Sequence, residues 1–301
     1  MKRERFSAED AEDSQRAQRV SRPPRPQRIL CDLRAKVLLL FWTPLLLVAC
    51  TPTPSGHAPT FAAKPYEPFV RANVVAIALR EWRLFGSLID DPALEGSEPG
   101  SASEKPERLP GLWQRVGEYW WLGQSPDESA SAWTGKHDAR GTVFPFTDDE
   151  RYAWSAAFIS YVMRIAGAGD RFPYAPNHAT YVNAAAAGRS PILRAEPPDA
   201  YAPRPGDLVC RGRYRAADLT FRDLPTPYLW PGHCGVAVSA RPGMLDLVGG
   251  NVEDAVRLTH VPITDRGTLG NQGEFVLDRR YRWFVVLRVL YDADAEAARD
   301  E

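Results

Sequence analysis

The sequence predicts an α+β fold, and the order of its hydrophobic periods is the reason. Beyond residue 68, apolar residues first recur at helical spacing; after residue 206 they alternate with a period of two. Gly and Pro clusters separate the alternating runs, as they do between short antiparallel strands. Helices followed by a run of strands pack as helices against an antiparallel sheet. The 301 residues are 44% hydrophobic with nine Trp, enough for a packed core, and the 27 Pro imply long loops between short elements.

The charge is unevenly spread. Residues 1–36 hold ten of the 37 Lys and Arg and six of the 38 Asp and Glu, a net of +4. Residues 37–49 carry no charge, and the remainder has 27 basic and 32 acidic side chains, a net of −5. Overall the chain is −1, which lacks the basic excess of a nucleic-acid binder. A basic start, an apolar run and a mildly acidic body form the layout of an exported protein. The apolar run Val37–Ala49 would rise roughly 20 Å as a helix, short of the roughly 30 Å hydrocarbon core, so it reads as a signal-peptide core. Its end, Leu47-Val48-Ala49-Cys50, resembles a bacterial lipobox, which implies cleavage before Cys50, acylation of that Cys and anchorage of the following domain at a membrane surface.

The expected organisation is therefore a leader at 1–49 with an unusually long N-terminal extension, a tether at 50–68, a helical part at 69–146, an α+β core at 147–291 and a frayed tail at 292–301. Within the helical part, 69–89 and 111–122 read as amphipathic helices, separated by a loop at 91–110 rich in Pro, Gly, Ser and Glu. Residues 123–146 read as irregular. Thr147-Asp148-Asp149-Glu150 matches a capping box for a helix over 148–167, with Trp154, Phe158, Val162 and Ile165 as its apolar stripe. Residues 168–205 read as loop with a short helix near 178–187. Strands are expected at 207–210, 234–239, 245–248, 256–261 and 281–291.

Three strings carry the chemistry: Trp154-Ser155-Ala-Ala-Phe-Ile-Ser160 on the helix; Pro205-Gly206-Asp207-Leu208-Val209 with Gly232-His233-Cys234; and Gly249-Gly250-Asn251. A hydroxyl early on a helix, a His opening a strand and an Asn ending the next strand can assemble a nucleophile, a base and an orienting amide. Ser155, His233 and Asn251 are the candidate catalytic residues, with His233 accepting the Ser155 proton and Asn251 fixing the imidazole. Trp154, His178 and Asp207 are candidate cleft residues. Against each stands a structural role: Ser155 as a small packing residue, Asn251 as a turn cap, Asp207 as a turn stabiliser, and Trp154 as core.

Read jointly, these strings resemble the NlpC-type and CHAP-type cell-wall peptidases, papain-like cysteine hydrolases whose helix motif is Cys-x-x-Phe-Val-Ser. Here it is Ser155-Ala-Ala-Phe158-Ile159-Ser160. Arg115-Val-Gly-Glu-Tyr-Trp120, Phe172-Pro-Tyr-Ala-Pro-Asn-His178 and Gly249-Gly-Asn-Val252 resemble the bacterial lipoprotein branch catalogued as domain-of-unknown-function family 2272. The resemblance spans about residues 69–291. It implies a papain-like domain of helices packed on an antiparallel sheet, acting on peptidoglycan. The departure is Ser155 where those peptidases carry Cys. A hydroxyl depends fully on its base, and helix-dipole help reaches it only if the helix begins close by, near Ala153 rather than Thr147.

Two readings of function stay open: an envelope-anchored peptidoglycan amide hydrolase, and an inactive scaffold binding peptidoglycan or an envelope protein partner. A serine esterase or acyltransferase is a third, disfavoured because no Gly-x-Ser-x-Gly elbow surrounds Ser155. Either way the chain is expected on the periplasmic side of the envelope, held through its N-terminal lipid. With Cys31 in the leader and Cys50 lipidated, Cys210 and Cys234 form an even pair in an oxidising compartment, read as a disulfide against the alternative of two buried thiols. No zinc-ligand spacing occurs, and neither metal nor organic cofactor is expected.

Overall fold

The computed structural model describes residues 68–90, 105–125, 127–270 and 275–292. The leader, Cys50, all of the tether but residue 68, the 91–104 part of the expected loop and the tail beyond 292 lie outside the described residues. No helix among the described residues is long and apolar enough to cross a membrane.

The fold is mixed α+β. Four α-helices are described: α1 (Arg71–Leu84), α2 (Leu112–Gly123), α3 (Ser155–Ile165) and α4 (His178–Ala186). The strands are β1 (Ile89–Asp90), β2 (Leu193–Glu196), β3 (Leu208–Gly212), β4 (Gly232–Arg241), β5 (Met244–Val252), β6 (Ala255–Pro262) and β7 (Trp283–Val289). They form one sheet in the order β1-β6-β5-β4-β3-β7-β2. Every pairing is antiparallel except β1 with β6. Strands β3 to β6 run as a meander, and β7 returns to the free side of β3. The short strands β1 and β2 fall in stretches that read as helix end and loop; two and four residues are too few to show alternation.

The sheet has a helix-covered face and a second, smaller apolar cluster. The first cluster joins Val74 of α1, Tyr119 and Trp120 of α2, Phe158 and Val162 of α3 and Tyr181 of α4 to Leu208, Cys210, Cys234, Val236 and Val248. The helical part at 69–146 and the core at 147–291 thus share one core. The second cluster contains Val209, Ala237, Leu247, Trp283 and Val286. Cys210 and Cys234 are register partners on β3 and β4, with Cα atoms 4.1 Å apart, and are disulfide-bonded.

The helix expected over 148–167 is broken, and this corrects the sequence reading. Phe146–Tyr152 winds as a 3₁₀ helix, Ala153 is extended (ψ 115°), and α3 starts afresh at Ser155. The capping box is not formed: the Thr147 hydroxyl donates to Asp148 instead. The segment is tied elsewhere, since Lys105 and Arg108 both hold Asp149, and Trp154 Nε1 donates to Glu107 at 2.5 Å. Those long-range bonds outweigh local helix propensity.

A buried carboxylate ties the helices to each other. Glu81 of α1 is fully buried. It accepts two bonds from Arg115 of α2 (2.6 and 2.5 Å) and one from the Tyr119 hydroxyl (2.8 Å), and Arg80 donates to it as well. Burial would raise the Glu81 pKa, but the bonds from Arg115, Tyr119 and Arg80 together hold it below its ordinary value. Removing Glu81 takes from Arg115 its buried counter-charge and leaves the exposed Glu118 as its acidic partner. Glu81→Leu should therefore destabilise the fold by about 3–5 kcal/mol in urea unfolding; a loss near zero would show that the network contributes nothing net.

Candidate active site

Two helix N-termini and one strand end converge on a single hydroxyl. Ser155 is the first residue of α3, behind Trp154 at the N-cap. His178 is the first residue of α4, whose N-cap Asn177 accepts from the Thr180 amide at 3.0 Å. His233 lies at the start of β4. Ser155 Oγ is 2.6 Å from His178 Nε2 and 2.8 Å from His233 Nδ1. On the next turn of α4, Tyr181 bonds His178 Nδ1 through its hydroxyl, an (i, i+3) neighbour on the same helix face.

The donor inventory orders the protons. Among the described residues the buried Tyr181 hydroxyl has no acceptor other than His178 Nδ1, so Tyr181 donates to it. His178 Nε2–H then donates to Ser155 Oγ, which leaves the Ser155 hydroxyl to donate to His233 Nδ1. The chain runs Tyr181 to His178 to Ser155 to His233. His233 is thereby the acceptor of the Ser155 proton, and His178 holds the oxygen from the other side.

Both imidazoles are neutral. Burial, followed by the charges of Arg213 and Arg211, pushes His178 down to about 3. Burial, then Arg211, Arg213 and His178, holds His233 well below the usual imidazole value. The helix N-terminus beneath His178 adds a positive end that also disfavours protonation. Burial drives the Tyr181 hydroxyl far above its ordinary pKa, so it stays a donor.

Glycines make this approach feasible. A Cβ on Gly249 would lie 2.7 Å from His233 Nε2, and one on Gly250 would lie 2.5 Å from Phe158 Cβ of α3. These consecutive glycines of β5 therefore admit the His233 ring and α3. Gly123 does the same between α2 and α3, where a Cβ would meet the Ala157 carbonyl oxygen at 2.6 Å.

The other sequence candidates are placed differently. Asn251 does not orient His233. It sits in the left-handed region (φ 57°), where β5 slips register against β6, and its side chain lines the cleft without a hydrogen bond to the imidazole. His233 Nε2 has no hydrogen-bond partner among the described residues. Trp154 is buried against Phe85 and Tyr119, bonded to Glu107, and does not line the cleft. Asp207 is also away from it. Its carboxylate accepts from Tyr201, the Arg204 amide and the Val289 amide, pinning the start of β3 to β7.

The cleft above Ser155 has a volume of about 670 Å³. Arg213, Lys105 and Tyr214 line it and were not singled out from the sequence. Glu107, Asp149 and Asp254 bring three carboxylates within 4.8 Å of one another at its edge. That charge is already met: Lys105 pairs with Asp149 and Asp254, and Arg108 with Asp149. Burial raises Glu107 to about 7 despite its bond from Trp154.

The buried imidazoles give acid stability a definite sign. An unfolded His takes its proton near 6.5, while folded His178 takes it only near 3. Between those values acidification favours the unfolded chain, and above 6.5 the term vanishes. Glu107 and Asp207, both raised, act in the opposite sense, so the term is isolated by comparison with a variant. Urea unfolding at pH 7 and pH 5 should show wild type losing about 2 kcal/mol more than His178→Asn. Equal losses would mean that His178 titrates normally.

A family model described as "Uncharacterized protein conserved in bacteria (DUF2272)" matches residues 107–289, which spans Ser155, His178 and His233. No curated protein matches the chain. No solved structure matches it.

Proposed function

This chain belongs to the bacterial DUF2272 family, and on that premise we propose that it is a serine hydrolase of the cell envelope that cleaves an amide in peptidoglycan. The observation that carries this reading is the Ser155 hydroxyl held between two neutral imidazoles at the first turn of an eleven-residue helix, on the wall of a cleft. The likeness of the Ser155, His233 and Gly-Gly-Asn strings to NlpC-type and CHAP-type peptidases supports a papain-like arrangement and the substrate class. The lipobox-like Leu47–Cys50 supports a lipid-anchored, periplasm-facing protein, with the outer membrane as its site.

In this mechanism Ser155 Oγ attacks the carbonyl carbon while its proton moves to His233 Nδ1. The first backbone N–H groups of α3 have no intrahelical partner and serve as donors to the tetrahedral oxyanion. His178 keeps its N–H on Oγ throughout and disfavours a misplaced rotamer. His233 returns the proton to the leaving amine, then accepts one from the water that attacks the acyl-serine and passes it to Ser155 Oγ as the ester bond breaks and the acid leaves. A neutral His233 is the form this cycle needs at its start.

The second reading is a scaffold that binds peptidoglycan stems or an envelope protein without cleaving. It is favoured by Ser155 in place of Cys and by the lack, among the described residues, of a hydrogen-bond partner on His233 Nε2.

The test is incubation of the full-length protein with purified sacculi, with released fragments read by mass spectrometry. Wild type should release fragments, Ser155→Ala none, and His233→Asn should slow release by about 10²–10⁴-fold. Sedimentation of wild type with sacculi and no release would leave the scaffold reading in place of the hydrolase.

A further inference from the structure

Of the two cations that line the cleft, Lys105 is paired and Arg213 is not, among the described residues. Lys105 pairs with Asp149 and Asp254, Arg257 holds Glu253 at 3.1 Å, and the Tyr214 hydroxyl donates to Glu150 at 3.1 Å. Arg213 lines the same cleft, and its backbone amide bonds the Pro231 carbonyl at 2.9 Å. Its guanidinium makes no ion pair or hydrogen bond among the described residues. Arg211, two residues earlier, is engaged otherwise: its guanidinium lies 3.8 Å from the Tyr281 ring centroid.

We propose that Arg213 recognises a carboxylate that the substrate carries beside the scissile amide, with the amide of Asn251, which lines the same cleft, as a second donor. This rests on the hydrolase reading for its choice of substrate. Guanidinium geometry favours it, because the planar fork matches a carboxylate through two parallel bonds. Electrostatics favours it too. The Arg213 charge is among those that disfavour protonation of His178 and His233. During catalysis His233 must become an imidazolium, and a permanent cation nearby opposes that step. A substrate carboxylate seated on Arg213 cancels that part of the opposing charge, while burial and Arg211 continue to act on His233. Binding and activation are thereby coupled through one side chain.

The experiment separates this from the hydrolase reading by measuring binding in the Ser155→Ala protein, where turnover is absent. The probes are a peptidoglycan stem tetrapeptide with free carboxylates and the same peptide with those groups converted to carboxamides. Titration calorimetry should show the free acid binding about ten- to a hundredfold more tightly. Arg213→Gln in the same background should erase the difference, and Arg213→Lys should keep part of it. Arg213 is partly exposed, so unchanged thermal unfolding of Arg213→Gln is expected and checks the fold. Equal affinity for the two peptides, a preference that survives Arg213→Gln, or no binding of either peptide would each overturn the proposal. Fragment release by wild type is scored separately. Release of both peptide forms at equal rates would keep the hydrolase and overturn the role of Arg213. A carboxylate preference without any release would keep Arg213 and overturn the hydrolase.

Discussion

The close approach of α3 and His233 to the two glycines of β5 is the constraint on which the site depends. A helix seldom sits against a strand closely enough for its first side chain to reach a group on the neighbouring strand. Gly249 and Gly250 remove the two Cβ atoms that would prevent it. The helix is pressed into place from behind by α2, through Gly123, and α2 is locked to α1 by Glu81 and Arg115. Ser155 is thus fixed by backbone contacts on two sides and by hydrogen bonds on a third. The disulfide between Cys210 and Cys234 sits directly beside the Arg211–His233 pair in the β3–β4 ladder.

The local charge distribution follows from the same packing. Burying two imidazoles together under a pair of arginines keeps both neutral, and neutrality leaves one as acceptor and the other as donor at Ser155. The direction of the chain is set by Tyr181, which has a proton to give and, among the described residues, no acceptor but His178. Of the acidic groups at the cleft edge, Asp149 is held by Lys105 and Arg108, Asp254 by Lys105, and Glu253 by Arg257. The cleft therefore presents a neutral hydrogen-bonded relay together with a cation, Arg213, that has no partner among the described residues.

Much of the fold was legible in the sequence because its signals are local. Helical period in the first half and alternation in the second give the α+β order, and the longer strands fall where alternation is strongest. Ser155 and His233 could be singled out for similar reasons, each marking the start of an element in a short string. The start of α3 was not legible. Thr147 to Glu150 has the residues of a capping box, but Lys105, Arg108 and Glu107 pull that segment into another path, and such partners lie roughly 40 residues away in the chain. Asn251 was misread for a related reason: the register slip that gives it a positive φ is a property of the β5–β6 pairing, not of Gly-Gly-Asn. His178 had a readable signal, an Asn cap followed by His and, one turn on, Tyr181. Its contact with Ser155 required knowing that two helix starts meet.

The central claim is that Ser155 is an activated nucleophile whose proton goes to His233. An active-site-directed fluorophosphonate, followed by intact mass and peptide mapping, tests it without any assumption about the natural substrate. The account predicts one adduct on the native wild-type protein, located at Ser155, and its loss in His233→Asn despite an unchanged fold. A native wild-type protein that takes no label, or one labelled equally well after His233→Asn, would contradict it.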